Sequence, residues 1–544
     1  MTSGARPRFD RTGHLVLFLH AHLPYVRHPE EQNGLAESWL YQAITETYIP
    51  LLSVAEGWIR DRLPARITVS LSPPLFEMLR DEFLLARYVE WTSSLIGLAD
   101  AEVRRTKDDE RFSFTAEMHR ARLADALNRF EHRYCRDLVA AFAALQNSGI
   151  LEIVTTCATH AFLPCFDPSY ARAQIRLGAE SYEAHLGRRP AGMWLPECGF
   201  VPGIDRVLAD EGINYFLVDA HAFEFASPPT VFGTYAPIVC PSGVFAFARD
   251  LESAAHVWSA ETGYPGDHRY REFHRDVGHD LDGPAIAPFL LPDGSRRHVG
   301  LKYHRVTGRE VPLHQKQPYH RGAALEAADE HAEHFVHTRA ARIEAVQTAT
   351  GRPPVIVAPY DAELFGHWWF EGPEFLDLVV RKSCNQSTYE LSTPLDVANS
   401  DGQFQVAMPA ASSWGRHGYN EIWLNSANEW IWPHLHRATQ EMARIASEYP
   451  GANSLTLRAL NQLARELVLA TASDWPFMIT MGTTVGYAES RLRTHINRFN
   501  RLLAQIRDRR INEAWLANIE TRDNAFSYVN YQDFGQKIGA VDRG

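Results

Sequence analysis

Two acidic residues follow short apolar segments of the kind that form buried strands. Glu197 comes directly after the run 192–195 and a proline, and Asp361 comes soon after the run 355–358. Acids at the carboxyl ends of barrel strands line the cleft of such a fold. Glycosidic bond chemistry needs a carboxylate pair, one to protonate the leaving oxygen and one to attack or stabilise the anomeric carbon. The two acids therefore predict a centre that acts on sugar chains.

Both acids also have a structural interpretation. Glu197 could cap the helix that follows it, and Asp361 could be structural while Glu363 or Glu371 is the working acid. The separation of the two carboxyl groups decides the stereochemistry, because a gap of about 5 to 5.5 Å gives retention and a wider gap admits water and inverts. Either outcome is open from these residues alone.

Three histidines follow predicted strands. His20 and His22 come after the first apolar run, where residues two apart in an extended chain point to the same face, and His160 comes after the third. One interpretation is a metal-dependent amidohydrolase of barrel fold, with these imidazoles as ligands. The other is a metal-free site in which they hydrogen-bond sugar hydroxyls and adjust the charge of the nucleophile. The residues alone favour neither.

The elements that must position these side chains alternate along the chain. Several apolar runs are followed by a loop and a helix-like segment, which is typical of parallel strands joined by crossover helices. This alternation predicts an α/β fold built on a closed β/α barrel. The predicted strands are residues 14–19, 67–71, 150–155, 192–195, 215–218, 244–247 and 355–358, and the helix-like segments are 38–54, 169–186, 204–211 and 373–380.

Helix-like sequence also interrupts and follows the predicted barrel. The stretch after the second strand is too long for a barrel connection, and from residue 427 onward apolar residues recur at three- and four-residue spacing. Residues 259–300, rich in Gly, Pro, His and Asp, predict a long mobile loop. The predicted domains are a discontinuous catalytic barrel (1–75 and 146–400), an inserted helical subdomain (76–145), a helical C-terminal domain (401–530) and a flexible tail (531–544).

Composition excludes several classes of partner. The chain has 544 residues, a formal net charge of -12 and 45% hydrophobic content. Nucleic acid and anionic membranes require a surplus of Lys and Arg, so neither is expected as a partner. The six cysteines form no CxxC pair, and no apolar stretch reaches the roughly 20 residues of a membrane span. The short apolar run near the N-terminus does not resemble a signal peptide. We therefore expect a soluble, cytoplasmic protein.

Aromatic residues are abundant: 13 Trp, 20 Tyr and 28 Phe. Many of the Trp residues stand next to Gly, Pro or charged residues instead of inside apolar runs. Tryptophan faces stack on the apolar faces of sugar rings, so this placement is typical of a saccharide cleft. The alternative is that they fill a large core.

Taken together, these segments resemble glycoside hydrolase family 57 over nearly the whole chain. The five characteristic stretches of the family have counterparts in order, at residues 20–25, 152–164, 194–200, 358–372 and 464–477. The resemblance implies that Glu197 is the nucleophile and Asp361 the general acid/base. It further implies an incomplete barrel of seven strands, (β/α)7, with an inserted helical subdomain, a helical C-terminal domain and no metal or other cofactor.

Within the family the sequence is most similar to the 1,4-α-glucan branching enzymes. That likeness implies retaining transfer of an α-1,4-glucan segment to a 6-hydroxyl, as in glycogen biosynthesis, with donor and acceptor glucan chains as partners. Tyr264 is then expected on a mobile loop over the cleft, and core packing is the alternative for Trp414 and Trp423. The expected substrate-binding residues are His20, His22, Trp39, His160, Tyr264, Trp414, Trp423, Asp474 and Trp475.

Other functions stay open from the sequence. A 4-α-glucanotransferase or an α-amylase of the same family would use the same carboxylates, whereas a metal-dependent hydrolase would need a bound ion. A glucan-binding protein without turnover is a third alternative, and the chain could be a monomer or a dimer. One departure affects specificity, because this chain has Ala470-Thr471-Ala472 before Ser473-Asp474-Trp475, where many relatives have Gln-Ser-Ser-Asp-Trp. The segment 280–297 is also longer than a minimal family loop, which bears on acceptor choice.

Overall fold

Ten strands lie in the described part of the chain, which in this computed structural model comprises residues 12–31, 34–259 and 262–535. Each of the seven predicted runs overlaps one of them. The strands are β1 (Gly13–Ala21), β2 (Ile67–Leu71), β3 (Leu151–Val154), β4 (Gly192–Met193), β5 (Tyr215–Val218), β6 (Ile238–Val239), β7 (Phe245–Ala248), β8 (Val355–Asp361), β9 (Tyr389–Leu391) and β10 (Gln405–Val406).

The strands form two sheets that are almost entirely parallel. The first has the order β3-β2-β1-β8, with β9 also paired to β1, and the second has the order β10-β6-β7-β5-β4. Only the β6–β7 pair is antiparallel among these ladders. A parallel bridge between Thr155 and Met193 connects β3 to β4, and the Asp250 amide donates to the Val357 carbonyl at 2.8 Å where β7 ends beside β8.

Strand β1 lies inside the first sheet and is buried along its length except at His14. Parallel strands that are covered on both faces have near-continuous apolar sequences. That is why the apolar runs were identifiable in the sequence, and why the polar residues at their ends stand out.

Helices make up most of the described chain between β1 and β3. The first of them continues without a break through a π-turn at Ile44–Tyr48, in which the hydrogen bonds skip one residue more than in an α-helix. The region predicted as a helical insertion is helical. The helices are α1 (Leu35–Ala43), α2 (Ile49–Arg60), α3 (Pro73–Met78), α4 (Glu82–Thr106), α5 (Ser113–Asn128) and α6 (Leu138–Asn147).

Further helices follow most of the later strands. The segment predicted as a mobile loop holds two short helices and buried polar residues, among them Arg271 and Asp276. It is thus irregular but packed. The helices are α7 (Pro168–Leu186), α8 (Ile204–Asp210), α9 (Ala220–Glu224), α10 (Leu251–Trp258), α11 (Val277–Asp280), α12 (Gly283–Ile286), α13 (Arg321–Thr350), α14 (Gly372–Asn385) and α15 (Pro394–Ala398).

The C-terminal region is helical. Within the predicted tail, Tyr531 and Phe534 are buried, at 1% and 4% exposure, so the packed structure reaches at least to them; residues 536–544 lie outside the described part. No helix in the described ranges is long and apolar enough to cross a membrane. The helices are α16 (Trp432–Glu448), α17 (Ser454–Ala470), α18 (Asp474–Met481), α19 (Val485–Arg507) and α20 (Glu513–Arg522).

Candidate active site

The predicted site residues meet at the carboxyl ends of the parallel strands. His20 on β1 is in register with Asp361 on β8. His160 follows β3, and Glu197 follows β4, whose neighbouring residue Trp194 donates its amide to Thr155 at 2.8 Å. Because parallel strands end at the same edge of a sheet, residues far apart in sequence share one location. The structure therefore brings together the two carboxylates and the histidines.

Glu197 lies in an unusual backbone conformation. Its φ and ψ are 60° and 23°, and Cys198 also has a positive φ of 51°. Non-glycine residues rarely adopt this left-handed region, and such strain concentrates at functional sites. The turn is held by tertiary contacts, since the Trp414 amide donates to the Glu197 carbonyl at 2.9 Å.

The two carboxylate oxygens of Glu197 each accept one hydrogen bond. Trp414 Nε1 donates to Oε2 at 2.8 Å, and Ser473 Oγ donates to Oε1 at 2.8 Å. Burial raises the pKa of Glu197, and these two hydrogen bonds together with His22 oppose that rise. The donors fix the direction of the carboxylate, as a positioned nucleophile requires.

The three histidines form a stack beside Glu197. His20 and His160 face each other through their Nε2 atoms at 3.0 Å, and the rings of His22 and His160 are 4.0 Å apart. His160 Nδ1 contacts Ser473 Oγ at 2.8 Å. Burial and the neighbouring His22 lower the pKa of both His20 and His160. These two imidazoles are therefore neutral near pH 7, one donating and the other accepting in their shared hydrogen bond.

His22 differs from the other two histidines in charge. Burial lowers the pKa of His22, but the negative charges of Asp474, Glu197 and Glu363 raise it, and the net shift is upward. Asp474 contributes most of these three, and its Oδ2 lies 3.1 Å from His22 Nε2. A positive charge on His22 favours the ionised form of Glu197. That His22 adjusts the charge of the nucleophile, as in the metal-free interpretation, stays a prediction.

Asp361 and Glu363 form a second acidic pair. Burial raises the pKa of Asp361 well above its usual value, and the charges of Glu363 and Glu197 raise it further. Burial raises the pKa of Glu363 to about 7, against a hydrogen bond of 2.6 Å that it accepts from the Tyr48 hydroxyl. A carboxyl group that keeps its proton near neutral pH can serve as a general acid.

A set of ligand atoms on His22, His160 and Asp474 lies within 4.8 Å of one another, which is compact enough to surround a metal ion. Three N or O ligands with an open position are typical of catalytic zinc. However, both nitrogens of His160 and Nε2 of His22 already have hydrogen-bond partners. A metal on His160 would have to displace its partners, whereas the buried Nδ1 of His22 has no hydrogen-bond partner among the described residues.

Two tryptophans line the site, and the sequence indicated one of them. Trp414 touches Glu197 directly, and its ring lies 5.0 Å from Trp194. Trp258, at the end of α10, lies 6.4 Å from Trp414 and is 40% exposed. An exposed indole beside the nucleophile can stack on a sugar ring.

The other predicted tryptophans lie farther out or in the core. Trp39 on α1 contacts Tyr487 edge-on at 5.4 Å. Trp423 is 1% exposed and stacks on Phe162 at 4.6 Å. Trp475 is 2% exposed and donates to a backbone carbonyl. Core packing, which the sequence left open for Trp423, therefore describes both it and Trp475 in this conformation.

Tyr264 packs against helix α13. Its hydroxyl is 2.7 Å from His334 Nδ1, and its ring stacks on His331 at 4.6 Å. Both histidines belong to α13, and in the described residues no hydrogen bond or ring contact connects Tyr264 to Glu197 or Asp361. Its expected position over the cleft stays a prediction.

Sequence reasoning did not assign roles to several residues that support the centre. Ser473 was not given a role, although it precedes the predicted Asp474 and its hydroxyl lies in the family stretch 464–477, which could have indicated a site residue. Tyr48 and Trp258 carried no such signal, because only the tertiary structure brings them to Glu363 and Trp414.

Two family models match this chain. The model described as glycosyl hydrolase family 57 matches residues 16–409. The model described as the C-terminal part of 1,4-alpha-glucan branching enzymes matches residues 434–534. Together they contain every residue of the site described above except Trp414 and Trp423, which lie between them.

Individual relatives cover nearly the whole chain. The "1,4-alpha-glucan branching enzyme TK1436" of Thermococcus kodakarensis is 34% identical, over 95% of this chain and 78% of its own length. The crystal structure titled "novel alpha-amylase AmyC", from Thermotoga maritima, is 43% identical, with a TM-score of 0.91 over 97% of this chain and 100% of that chain. A branching enzyme of the same family from Pyrococcus horikoshii is 31% identical, with a TM-score of 0.86 over 97% of both chains.

Proposed function

This chain belongs to glycosyl hydrolase family 57, and we propose that it is a 1,4-α-glucan branching enzyme. It transfers a segment of an α-1,4-glucan to a 6-hydroxyl group and so forms an α-1,6 branch. The observation that carries the proposal is the hydrogen bond from Ser473 to Glu197, because Ser473 lies in the region matched by the branching-enzyme C-terminal model. That region thus takes part in the active site.

The proposed reaction is a double displacement. Glu197, oriented by Trp414 and Ser473, attacks the anomeric carbon while Asp361 protonates the departing oxygen. Asp361, then ionised, removes the proton from the 6-hydroxyl of the acceptor, which attacks the glycosyl-enzyme and regenerates Glu197. The raised pKa of Asp361 supports its role as the acid, and retention of configuration follows from two successive inversions.

Substrate contacts are proposed for the residues that surround this pair. His20, His22, His160 and Asp474 lie within the hydrogen-bonded stack, and Trp414 offers a ring beside it. Trp39 fits a more distant glucan contact, while Trp423 and Trp475 support the wall from behind. Tyr264 contributes only if its loop moves away from α13. The glucan itself is proposed as the partner in both half-reactions, as donor and as acceptor, in glycogen or a related polymer.

The fold is proposed to be an incomplete (β/α)7 barrel with an inserted helical subdomain (76–145) and a helical C-terminal domain (401–530). Supporting this, the Thr155–Met193 bridge connects β3 to β4, and the Asp250–Val357 hydrogen bond brings β7 to β8. Seven parallel strands then follow one another around the ring. These are β1, β2, β3, β4, β5, β7 and β8.

A second candidate is hydrolysis, which is favoured by the 43% identity to a protein titled α-amylase. The two functions differ in their products. After incubation with amylose, treatment with a debranching enzyme should release new short chains, with few new reducing ends before debranching. Release of reducing ends without debranchable chains would instead identify an amylase, and linear chains of altered length would identify a 4-α-glucanotransferase. Glu197→Gln protein is the control for contaminating activity.

The remaining alternatives are separated by two further measurements. A metal-dependent hydrolase predicts a stoichiometric metal by elemental analysis and loss of activity with EDTA, whereas the proposed mechanism predicts activity that survives chelation. A glucan-binding protein without turnover predicts no change in iodine staining of amylose.

A further inference from the structure

A cavity of about 260 Å³ lies apart from the catalytic carboxylates. It is enclosed by α1, the π-turn and α2 on one side, by α4 and α5 on another, and by segments around residues 271, 300 and 370. Neither Glu197 nor Asp361 lines it. The residues that matter for its chemistry are Tyr41, Glu46, Trp91, His119, Ala126 and Arg271.

Arg271 is the unusual member of this lining. It is 4% exposed, and its Nε and Nη1 atoms have no hydrogen-bond partner among the described residues. The guanidinium lies 4.0 Å from the centre of the Phe370 ring. Glu46 and Glu371 act on its charge, but neither forms an ion pair with it. Burying a cation without such a partner is costly, and buried charges are normally paired.

The other charged side chains of the lining do have partners. Arg122 pairs with Glu374 at 3.1 Å, and Arg129 pairs with Asp125 at 2.6 Å. Glu46 pairs with His367, also at 2.6 Å. The acids and arginines of the lining are thus equal in number, but Arg271 is the one charged side chain among its described residues that forms no ion pair.

We propose that this cavity binds a small organic anion of monosaccharide size, with its phosphate or carboxylate group on Arg271. Guanidinium groups bind both kinds of oxyanion through paired N–H donors. Pockets for drug-sized ligands span about 300 to 1,000 Å³, so this cavity suits a smaller molecule. The aromatic side chains of Tyr41 and Trp91 provide apolar surface for a sugar ring. Such a ligand differs from the glucan substrate in carrying charge.

Calorimetric titration of the full-length protein tests the proposal with four probes: glucose 6-phosphate, glucuronate, inorganic phosphate and glucose. Glucose 6-phosphate or glucuronate should bind at least tenfold more tightly than glucose, and the stronger of the two identifies the anionic group. Binding of glucose as tight as that of both sugar anions would overturn the proposal. So would binding of inorganic phosphate alone.

Two variants connect binding to this cavity. Arg271→Gln should weaken the sugar anion at least tenfold, and Ala126→Leu, which fills the cavity and keeps Arg271, should do the same. The matched control is Arg275→Gln, an arginine four residues along the same segment that pairs with Asp280 and is not part of the lining. Unchanged binding in Ala126→Leu would overturn the proposal, even if Arg271→Gln failed to fold.

Discussion

Two groups of buried histidine and carboxylate side chains in this protein have similar composition. One consists of His22, His160 and Asp474 beside Glu197, and the other of Glu466, His495 and Asp523 in the C-terminal helices. In each, three ligand atoms lie within 4.8 Å of one another. They differ in the charges that surround them.

The helical cluster is neutralised by arginines. Arg491 and Arg498 both pair with Asp523, and His495 Nδ1 lies 2.7 Å from Glu466 Oε2. Burial raises the pKa of Glu466 and of Asp523, and the two arginines oppose that rise. Such a network joins α17 and α19 to the end of α20, and its role is structural.

The cluster beside Glu197 and the nearby acids have no arginine or lysine partner among the described residues. In the described ranges, no ion pair with either residue type involves Glu197, Asp361 or Glu363, and Glu197 accepts only from an indole and a hydroxyl. The pKa values of Glu197, Asp361 and Glu363 therefore stay raised, which suits acids proposed to exchange protons. The same residue types stabilise the fold when their charge is compensated and become available for chemistry when it is not.

The largest expected effect is on catalysis. Glu197→Gln and Asp361→Asn should each reduce the rate of glucan transfer by at least about 10³-fold, because each removes a reacting group. Stability should not fall, since each amide has nearly the shape of the acid that it replaces and neither acid has a cationic partner of fixed charge. Transfer rates and urea unfolding midpoints measure the two effects, and retained activity in either variant would exclude that residue from the mechanism.

The opposite result is expected in the helical cluster. Arg498→Met should lower the free energy of unfolding by about 3 kcal/mol, because it leaves Asp523 buried with less compensation. The transfer rate per folded molecule should be unchanged. Arg493→Met is the control, since Arg493 is exposed and its contacts are a surface ion pair with Glu489 and the ring of Trp430, against which Met can still pack. It should change stability by less than about 0.5 kcal/mol. A loss of activity without loss of stability would contradict the contrast between the clusters.

The free energy of unfolding, measured against pH, should reveal the raised pKa of Glu363. The pKa of Glu363 rises on folding from about 4.5 to about 7, so the folded state binds the proton more tightly and stability falls as pH rises through this window. Glu363→Gln should remove on the order of 3 kcal/mol of that fall. Tyr48→Phe, which deletes the hydrogen bond that lowers this pKa, should extend the fall to higher pH. Parallel curves for wild type and Glu363→Gln would refute the assignment.

The smallest expected effect concerns orientation of the nucleophile. Trp414→Phe keeps an aromatic ring but removes the donor to Glu197, so the pKa of Glu197 should rise and the acidic limb of the kcat/KM profile should move to higher pH. We expect about a tenfold loss of rate, the equivalent of one hydrogen bond to a charged group. Trp258→Phe is the matched control and should leave that limb in place.

Much of the fold could be predicted from the sequence, because buried parallel strands are near-continuous apolar runs with polar residues at their ends. The helical texture of residues 427–507 followed equally from its periodicity. The short strands β6, β9 and β10 were not predicted, since two or three residues in a strand leave too little pattern. The segment 259–300 was expected to be mobile because composition does not show that Arg271 and Asp276 are buried.

The site was predictable where a residue ends a strand and not where it arrives from elsewhere. Glu197 and Asp361 stood out at apolar runs, and the resemblance to a family gave them roles that remain predictions. Tyr48 bonds to Glu363 although it lies 315 residues earlier in the chain. No local pattern encodes such a contact. Trp423 and Trp475 were predicted to bind substrate but are buried. The sequence around a tryptophan does not show whether its ring lies in the core or in a cleft.

The π-turn at Ile44–Tyr48 contacts both the cavity around Arg271 and the acid Glu363. Glu46 lines the cavity that contains Arg271, and Tyr48, two residues later, bonds to Glu363 at 2.6 Å. A ligand that shifts this turn changes the proton affinity of Glu363, and thermodynamic linkage requires that protonation of Glu363 change the affinity of that ligand by the same factor. Followed against pH, the dissociation constant of the ligand would then report the titration of an acid that the ligand never touches.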